Sequence, residues 1–314
     1  MRCLVTGAAG FVGSTLCDYL LSQGFQVVGI DCFVDYYPRQ VKEKNLVIAL
    51  ENPNFKLISE DLNNLDLGPI IDNIDLIFHQ SAQAGVRASW GRSFETYVRH
   101  NVIATQKLLE AAKTSKQLRK IVYASSSSVY GNAEQFPTSE NVVPKPVSPY
   151  GVTKLAAENL MQLYSSEFGV PTVSLRYFTV YGPRQRPEMA FHRFIRSGYL
   201  KEIIEVYGDG EQSRDFTYID DIAQANILAA EKGTLGSIYN IGGGIITSVN
   251  QILKNLEKII GPLDIHYLPA QKGDAKHTSA DTTLAKLNLG YKPSIDISEG
   301  LTRQADWISG LLNL

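Results

Sequence analysis

Cysteine is scarce in these 314 residues: Cys3, Cys17 and Cys32 are an odd, scattered set without the spacing of a metal site or a disulfide framework. Cys3 and Cys32 stand in apolar strand-like runs, which suits small buried thiols. Neither sign of charge is in excess. With 30 Lys and Arg against 32 Asp and Glu the net charge is -2, which removes the usual electrostatic reason to expect nucleic acid or an anionic membrane as partner. Long apolar runs are missing too. No stretch approaches the ~20 residues that span a bilayer, and the first apolar run is broken by Gly7-Ala8-Ala9-Gly10 before it could serve as a secretory signal. There is no internal repeat and no low-complexity tract. What remains is an ordinary apolar fraction of 44% with 20% charged residues, and chain enough for one large domain or two smaller ones. A cytoplasmic enzyme or binding protein is expected.

The chain opens on an apolar strand from Arg2 to Thr6, followed by Gly7-Ala8-Ala9-Gly10-Phe11-Val12-Gly13 and a helical pattern through Leu16, Leu20 and Leu21 that stops at Gly24. A second strand, Gln26 to Ile30, ends on Asp31. Strand, glycine loop, helix, strand and acid in that order predict a dinucleotide-binding unit, although the GxxGxxG spacing differs from GxGxxG. Glycine lets the backbone turn tightly and lets a pyrophosphate approach the helix start at Phe11 and Val12. Asp31 suits the adenosine ribose hydroxyls and repels a 2′-phosphate, so NAD is favoured over NADP.

Further strands are expected from Phe55 to Ile58, Asp75 to Phe78, Ile121 to Ala124 and Thr172 to Leu175, with helical patterns at 36–51, about 94–115 and from Tyr150 onward. This alternation predicts an α/β fold with a doubly wound, mainly parallel Rossmann sheet. Past Arg176 the pattern loosens: a short helix to about 200, a helix from Asp220 to Ala230, a strand from Ile238 to Ile241, and helices at 248–260, 282–288 and 297–311. A smaller, discontinuous C-terminal substrate lobe is therefore expected, about 179–215 plus 244–314, beside a cofactor domain of 1–178 plus about 216–243.

Tyr150 and Lys154 are four residues apart and open an apolar-periodic helix, which stacks them on one face. A free phenol has a pKa of about 10, roughly 4 kcal/mol from use as a base at neutral pH. An ammonium about 4 Å away contributes on the order of 4 kcal/mol at an effective dielectric near 20. The pair can make a usable phenolate. A lone YxxxK is more often a plain helix start with a surface lysine, and it is the rest of the chain that tips the balance. Ser125-Ser126-Ser127-Ser128 ends a strand at the C-terminal side of the sheet, where a ligand crevice forms. His79 reads as a structural end-of-strand residue, and Asp61-Leu62 as an adenine-side contact or a helix cap.

With the glycine loop, the serine run and the Tyr150–Lys154 pair together, the chain resembles the extended short-chain dehydrogenase/reductase family, and within it the nucleotide-sugar epimerases, over nearly its whole length. The resemblance implies an isomerase that uses NAD to oxidise C4 of a UDP-sugar transiently and to reduce it again from the other face. It implies Tyr150 as base, Lys154 as the residue that lowers its pKa and holds the nicotinamide ribose, and Ser126 as the hydroxyl partner. Gln80, Ala82, Asn101, Ser125, Tyr177 and Val180 are implied as further cofactor contacts. Three features bring it closest to UDP-glucuronate 4-epimerases. Thr179 stands where neutral-sugar epimerases usually carry asparagine, the segment from Gly182 to Ala190 is similar to theirs, and Ser126-Ser127-Ser128 offers hydroxyls rather than acids. Thr179 with Ser127 or Ser128 can hydrogen-bond a C5 carboxylate, and Arg186 can balance its charge or lie on the phosphate side. Decarboxylases carry glutamate in place of Ser128, and dehydratases an Asp-Glu pair in place of Ser127-Ser128, so both activities are disfavoured. Arg214 is implied at the diphosphate; Met189 and Gln212 are further implied UDP-sugar contacts. Arg87, Arg193 and Tyr207 suit that nucleotide end or plain packing equally, and Asp274 is placed there only loosely. No metal is implied. UDP-glucose or UDP-N-acetylglucosamine 4-epimerase, UDP-glucuronate decarboxylase and a non-catalytic NAD-binding protein are the alternatives. A homodimer through the helices at about 94–115 and 150–168 is implied as well.

Overall fold

The computed structural model describes residues 1–269 and 277–314. In chain order the strands are β1 (Arg2–Thr6), β2 (Gln26–Ile30), β3 (Phe55–Ile58), β4 (Leu76–His79), β5 (Lys120–Ser126) and β6 (Thr172–Tyr177), then β7 (Thr179–Tyr181), β8 (Ile204–Tyr207), β9 (Ser213–Tyr218), β10 (Ile238–Ile241), β11 (Ile246–Ser248) and β12 (Ile265–Leu268). The helices are α1 (Phe11–Ser22), α2 (Arg39–Asn45), α3 (Val47–Leu50), α4 (Gly68–Ile71), α5 (Phe94–Tyr97) and α6 (Ala104–Ala112), then α7 (Pro149–Phe168), α8 (Ala190–Leu200), α9 (Ile219–Lys232), α10 (Val249–Ile260) and α11 (Ile297–Leu312).

Seven strands form one sheet in the order β10-β6-β5-β4-β1-β2-β3, and every neighbouring pair is parallel. This is the expected α/β Rossmann sheet. Successive residues of a strand point to opposite faces. Cys3 and Val5 join Val27, Phe78, Val122 and Leu175 in one core, while Leu4 joins Val28, Ile77, Ile121 and Tyr123 in the other. Helices cover both faces, which is why the strands read as unbroken apolar runs. The chain winds outward from β1 to β3, then returns to the far side of β1 with β4. At that reversal the strand ends diverge and leave a crevice.

A three-stranded sheet, β11-β9-β7, and a two-stranded one, β12-β8, stand apart from the large sheet. With α8, α10 and α11 they enclose a third core that includes Tyr181, Phe191, Ile195, Leu256 and Leu301. The chain enters this region at β7, returns to the large sheet as β10, and leaves again.

Some expected elements differ. The helical pattern at 36–51 starts only at Arg39, because Pro38 disfavours helical geometry at Tyr37, and it divides at Leu46 into α2 and α3. The pattern at 94–115 contains a π turn, Val98–Ile103, between α5 and α6. At 282–288 the structure has a π segment, Ala285–Leu289. Strands β5 and β6 run longer than expected, pairing Ser125 with Arg176 and Ser126 with Tyr177. That pairing places the serine run at the last rungs of the sheet.

Candidate active site

A cavity of about 410 Å³ lies over the C-terminal ends of the central strands. Its cofactor side is built around the first turn of α1. Gly7 has φ +70°, and a Cβ there would lie 2.8 Å from the Ser81 backbone; a Cβ at Gly13 would lie 2.0 Å from the Gly7 carbonyl oxygen. The two glycines let helix, loop and neighbouring strand end close up to contact. Gly10 caps α1 without a side-chain hydrogen bond, and no acid occupies the first turn. The leading N–H groups of a helix lack intrahelical partners, so this start, with Phe11 and Val12 in the cavity wall, suits an anion. The Asp31 carboxylate accepts hydrogen bonds from Ala9 N (2.9 Å) and Phe33 N (2.8 Å). It fastens the glycine loop and keeps lone pairs for ribose hydroxyls. Cradle, helix start and carboxylate together fit a dinucleotide.

Asp61 and Leu62 also line the cavity. Asp61 accepts from Asn63 N (2.9 Å) and from Arg99 (2.8 Å), which closes a turn; no helix starts there, so it is not a helix cap. Gln80, Ala82, Tyr177 and Val180 are in the wall. Gln80 donates to Asn226 Oδ1 (2.9 Å), and Asn226 donates to the Tyr177 hydroxyl (2.7 Å). Asn101 is not in the wall. It sits in the π turn, accepts from Gln83 N (2.7 Å) and donates to Thr153 Oγ1 (2.9 Å), tying the loop after β4 to α7. π turns recur at functional sites for this kind of redirection. Ser125 lines the cavity, and its hydroxyl donates to buried Glu158 (2.6 Å).

At the other end stand Ser126, Ser127, Ser128, Tyr150, Lys154, Thr179, Arg186 and Met189. Helix α7 begins sharply: the Ser148 hydroxyl accepts from Gly151 N (3.1 Å), and Pro149 follows. A Cβ at Gly151 would lie 2.6 Å from the Ser128 carbonyl oxygen, so glycine here brings Tyr150 against the serine turn. Ser126 Oγ accepts from Ser128 N (3.1 Å), and its hydroxyl lies on the side of the Tyr150 phenol, whose pKa it helps to pull down. The Tyr97 ring stands edge-on to Tyr150 with centroids 6.3 Å apart.

Burial raises the Tyr150 phenol above its ordinary value, while Arg186 and then Ser126 pull it down. On sequence grounds that duty fell to Lys154. Here the Lys154 ammonium lies over the Tyr123 ring at 4.6 Å, and burial brings its pKa down to about 7 against the opposing charge of Glu158. Arg186 in turn donates to Glu188 Oε1 (2.6 Å). His79 is fully buried, bonded through Nδ1 to Thr6 (2.7 Å) and through Nε2 to Thr105 (2.9 Å), as a structural residue would be.

Five further expected substrate contacts are not in the wall. The Arg87 guanidinium stacks on the Tyr207 ring at 4.9 Å, and Gln212 donates to the Tyr207 carbonyl (2.9 Å). Arg193 pairs with Glu205 at 3.7 Å, and Arg214 donates to the Ser213 carbonyl (2.9 Å). Asp274 lies outside the described residues. Conversely, Tyr36, Tyr37, Lys42, Gln83 and Phe178 line the cavity without having been singled out. Glu158 had a usable signal, since it extends the Tyr150–Lys154 spacing by another four residues.

Residues 3–242 match the NAD dependent epimerase/dehydratase family. A UDP-glucuronate 4-epimerase from Thermodesulfobacterium geofontis is 41% identical over 311 residues, covering 97% of this chain and 95% of that one. A Bacillus subtilis protein described as an uncharacterised UDP-glucose epimerase is 43% identical over 314 residues, covering 99% of each. UDP-glucuronic acid 4-epimerase from Bacillus cereus, solved in complex with UDP-glucuronic acid and NAD, matches with a TM-score of 0.96 at 45% identity, over 99% of this chain and 100% of that one.

Proposed function

Since the chain belongs to the NAD dependent epimerase/dehydratase family, we propose that it is a UDP-glucuronate 4-epimerase, inverting C4 of UDP-glucuronate to give UDP-galacturonate with NAD bound. The polar lining of the cavity carries this reading. Its acids are Asp31, Glu60 and Asp61, which follow β2 and β3, whereas the wall around Tyr150 offers the hydroxyls of Ser126, Ser127, Ser128 and Thr179 and the cation Arg186. The ends of β5 and β2 are three strands apart in the sheet, roughly 14 Å. A carboxylate-bearing sugar therefore meets hydroxyl donors at this end, and at Arg186 it shares the cation with Glu188, 2.6 Å from that guanidinium.

The glycine loop and the α1 N-terminus hold the pyrophosphate, and Asp31 holds the adenosine ribose. NAD, when bound, supplies the acceptor and donor of hydride at C4. Tyr150 takes the C4 hydroxyl proton and later returns it, with Ser126 hydrogen-bonded to the same oxygen. Lys154 provides the cation that supports the phenolate and the nicotinamide ribose. Thr179, Ser127 and Ser128 hold the C5 carboxylate and Arg186 balances its charge. A carboxylate beside a C4 ketone loses CO₂ when the breaking bond aligns with the carbonyl, so these contacts also guard the product by pinning that group. Arg87, Arg193, Tyr207, Gln212, Arg214 and Asp274 are assigned to the nucleotide half; the stacking of Arg87 on Tyr207 supports a common location for two of them.

The same reading divides the chain into a cofactor unit of 1–178 plus about 216–243 and a UDP-sugar unit of about 179–215 plus 244–314. The third core is drawn mostly from the second unit, with Phe11, Phe216, Tyr218 and Ile219 reaching into it from the first, while Ala285, Leu289 and Tyr291 pack in the large-sheet core. It also makes the protein a homodimer through α5, α6 and α7. Among the described residues no helix is long and apolar enough to cross a membrane, and Cys3, Cys17 and Cys32 are free thiols. We assign it to the cytoplasm.

The test is incubation of purified protein with UDP-glucuronate, UDP-glucose and UDP-N-acetylglucosamine separately, without added cofactor, followed by chromatographic resolution of products. UDP-galacturonate without any UDP-pentose is expected from the first. Turnover of a neutral sugar alone would remove the substrate assignment. Tyr150→Phe is expected to keep its NAD and lose at least about a hundredfold in turnover, and full activity in that variant would remove the base.

A further inference from the structure

Next to the Tyr150–Lys154 pair lies a buried polar cluster that the chemistry above leaves unused. Glu158 is 0% exposed and stands four residues after Lys154, one turn on along the same face of α7. Its Oε2 accepts from Ser125 Oγ (2.6 Å) and from Arg176 Nε (3.0 Å), and its Oε1 accepts from Arg176 Nη2 (2.7 Å). Arg176, itself 2% exposed, donates onward to the Tyr130 hydroxyl (2.8 Å), which donates to Asn240 Oδ1 (2.7 Å). Helix α7 is thereby tied to β5, β6 and β10 through one carboxylate.

A fully buried ion pair seldom stabilises a fold more than apolar side chains of the same volume would, because desolvation offsets the attraction. Stability therefore does not account for the cluster, and its location does. The titratable groups facing Lys154 are Glu158 on its own helix, Tyr123 on β5 and His79 on β4, and Tyr150 precedes it by one turn of α7. Glu158 is the one acid of that set, and Arg176 approaches from β6 on the far side of it. Burial alone drives the Lys154 ammonium toward neutrality, and Glu158 is what opposes that drift.

We propose that Glu158 is a positioning residue for the Tyr150–Lys154 pair: anchored by Ser125 and Arg176, it holds a fixed negative charge one helical turn from Lys154 and keeps that ammonium protonated where Tyr150 must work. The same carboxylate fixes Ser125 and with it the strand end that presents Ser126. This deepens the functional reading above and rests on it for the part Lys154 plays.

Two variants test it. Glu158→Gln removes the charge and leaves Arg176 unpaired, while Glu158→Gln with Arg176→Met removes both charges so that folding is not the obstacle. In cofactor-free protein labelled with ¹³C-lysine, with the Lys154 resonance assigned by Lys154→Met, the titration midpoint should fall by about one pH unit or more in both variants. In the loaded enzyme the alkaline limb of kcat/KM for epimerisation should move to lower pH by the same amount, whatever happens to its height. An unchanged midpoint in both variants overturns the proposal. So does a wild-type midpoint in the double variant, which would make Glu158 only the counter-ion of Arg176. A wild-type protein that epimerises none of the three sugars would sink the functional reading, yet the resonance titration would still decide the part of Glu158.

Discussion

Burial pushes several bases of this protein toward neutrality, Lys42, His100, Lys120 and His192 among them, and two of them far: His79, lowered to about 3, and Lys154, lowered to about 7. For His79 the hydrogen bonds agree. Thr105 gives its proton to the Asn101 carbonyl (2.7 Å), so Nε2 donates to Thr105 and Nδ1 accepts from Thr6, a neutral tautomer inferred from the network. In each case the unfolded chain binds a proton that the folded chain does not, so stability rises with pH through the window between the folded and ordinary values. The window for Lys154 runs from about 7 to its ordinary 10.5. Cofactor-free protein should therefore gain on the order of 1–2 kcal/mol of Lys154-dependent stability between about pH 7 and about pH 8.5. Urea unfolding should show this rise in the wild type and a flatter profile in Lys154→Met. Staying below pH 9 matters, because Cys3, raised to about 12, contributes with the opposite sign above the ordinary thiol value of 9.0. An equal rise in the variant would move the effect to another group.

At the level of elements, α1 shows how a local preference is overruled. Glycine inside a helix costs about 1 kcal/mol relative to alanine, so propensity alone favours Gly13→Ala. The contact says otherwise: a Cβ there would lie 2.0 Å from the Gly7 carbonyl, a backbone atom that cannot swing aside. Gly13→Ala should lower stability by at least about 2 kcal/mol and reduce the NAD recovered per chain on denaturation; an unchanged Tm would refute the close approach. The glycines announced this contact in the sequence, as the apolar runs announced the large sheet. Most strands of the small sheets were hard to read for a physical reason. β7 and β11 are three residues each, and β12 has no fully buried residue, so they carry no alternation; β8 alone alternates, burying Ile204 and Val206 around exposed Glu205, over only four residues. The site was read in the same uneven way. Ser126, Tyr150 and Lys154 stand out by type and spacing, whereas Asn226 meets Tyr177 from 49 residues away and nothing local marks it. The pull of Arg186 on Tyr150, like the part of Lys154 beside it, depends on how α7 and the segment after β7 converge, which no spacing encodes.

For the whole molecule, α7 carries an apolar outer face that a monomer has little use for. Val152 and Leu163 are 47% and 50% exposed, and the π turn adds Ile103, also 50% exposed. An interval of eleven residues is close to three helical turns, which aligns Val152 with Leu163. Light scattering coupled to size exclusion should give twice the chain mass for the wild type and the single-chain mass for Leu163→Glu, with NAD content little changed. A monomeric wild type would remove the dimer.

The return of the chain to the large sheet has a consequence for biosynthesis. β6 is buried at every position and takes β10 as its outer neighbour, but β10 follows β7, α8, β8, β9 and α9 in the chain. A growing polypeptide on the ribosome therefore exposes the apolar edge of β6, with its peptide groups unpaired, until Ile241 has emerged. Such an edge is a template for pairing with another nascent chain. The interval between making β6 and making β10 is thus the one in which this protein most depends on chaperone cover.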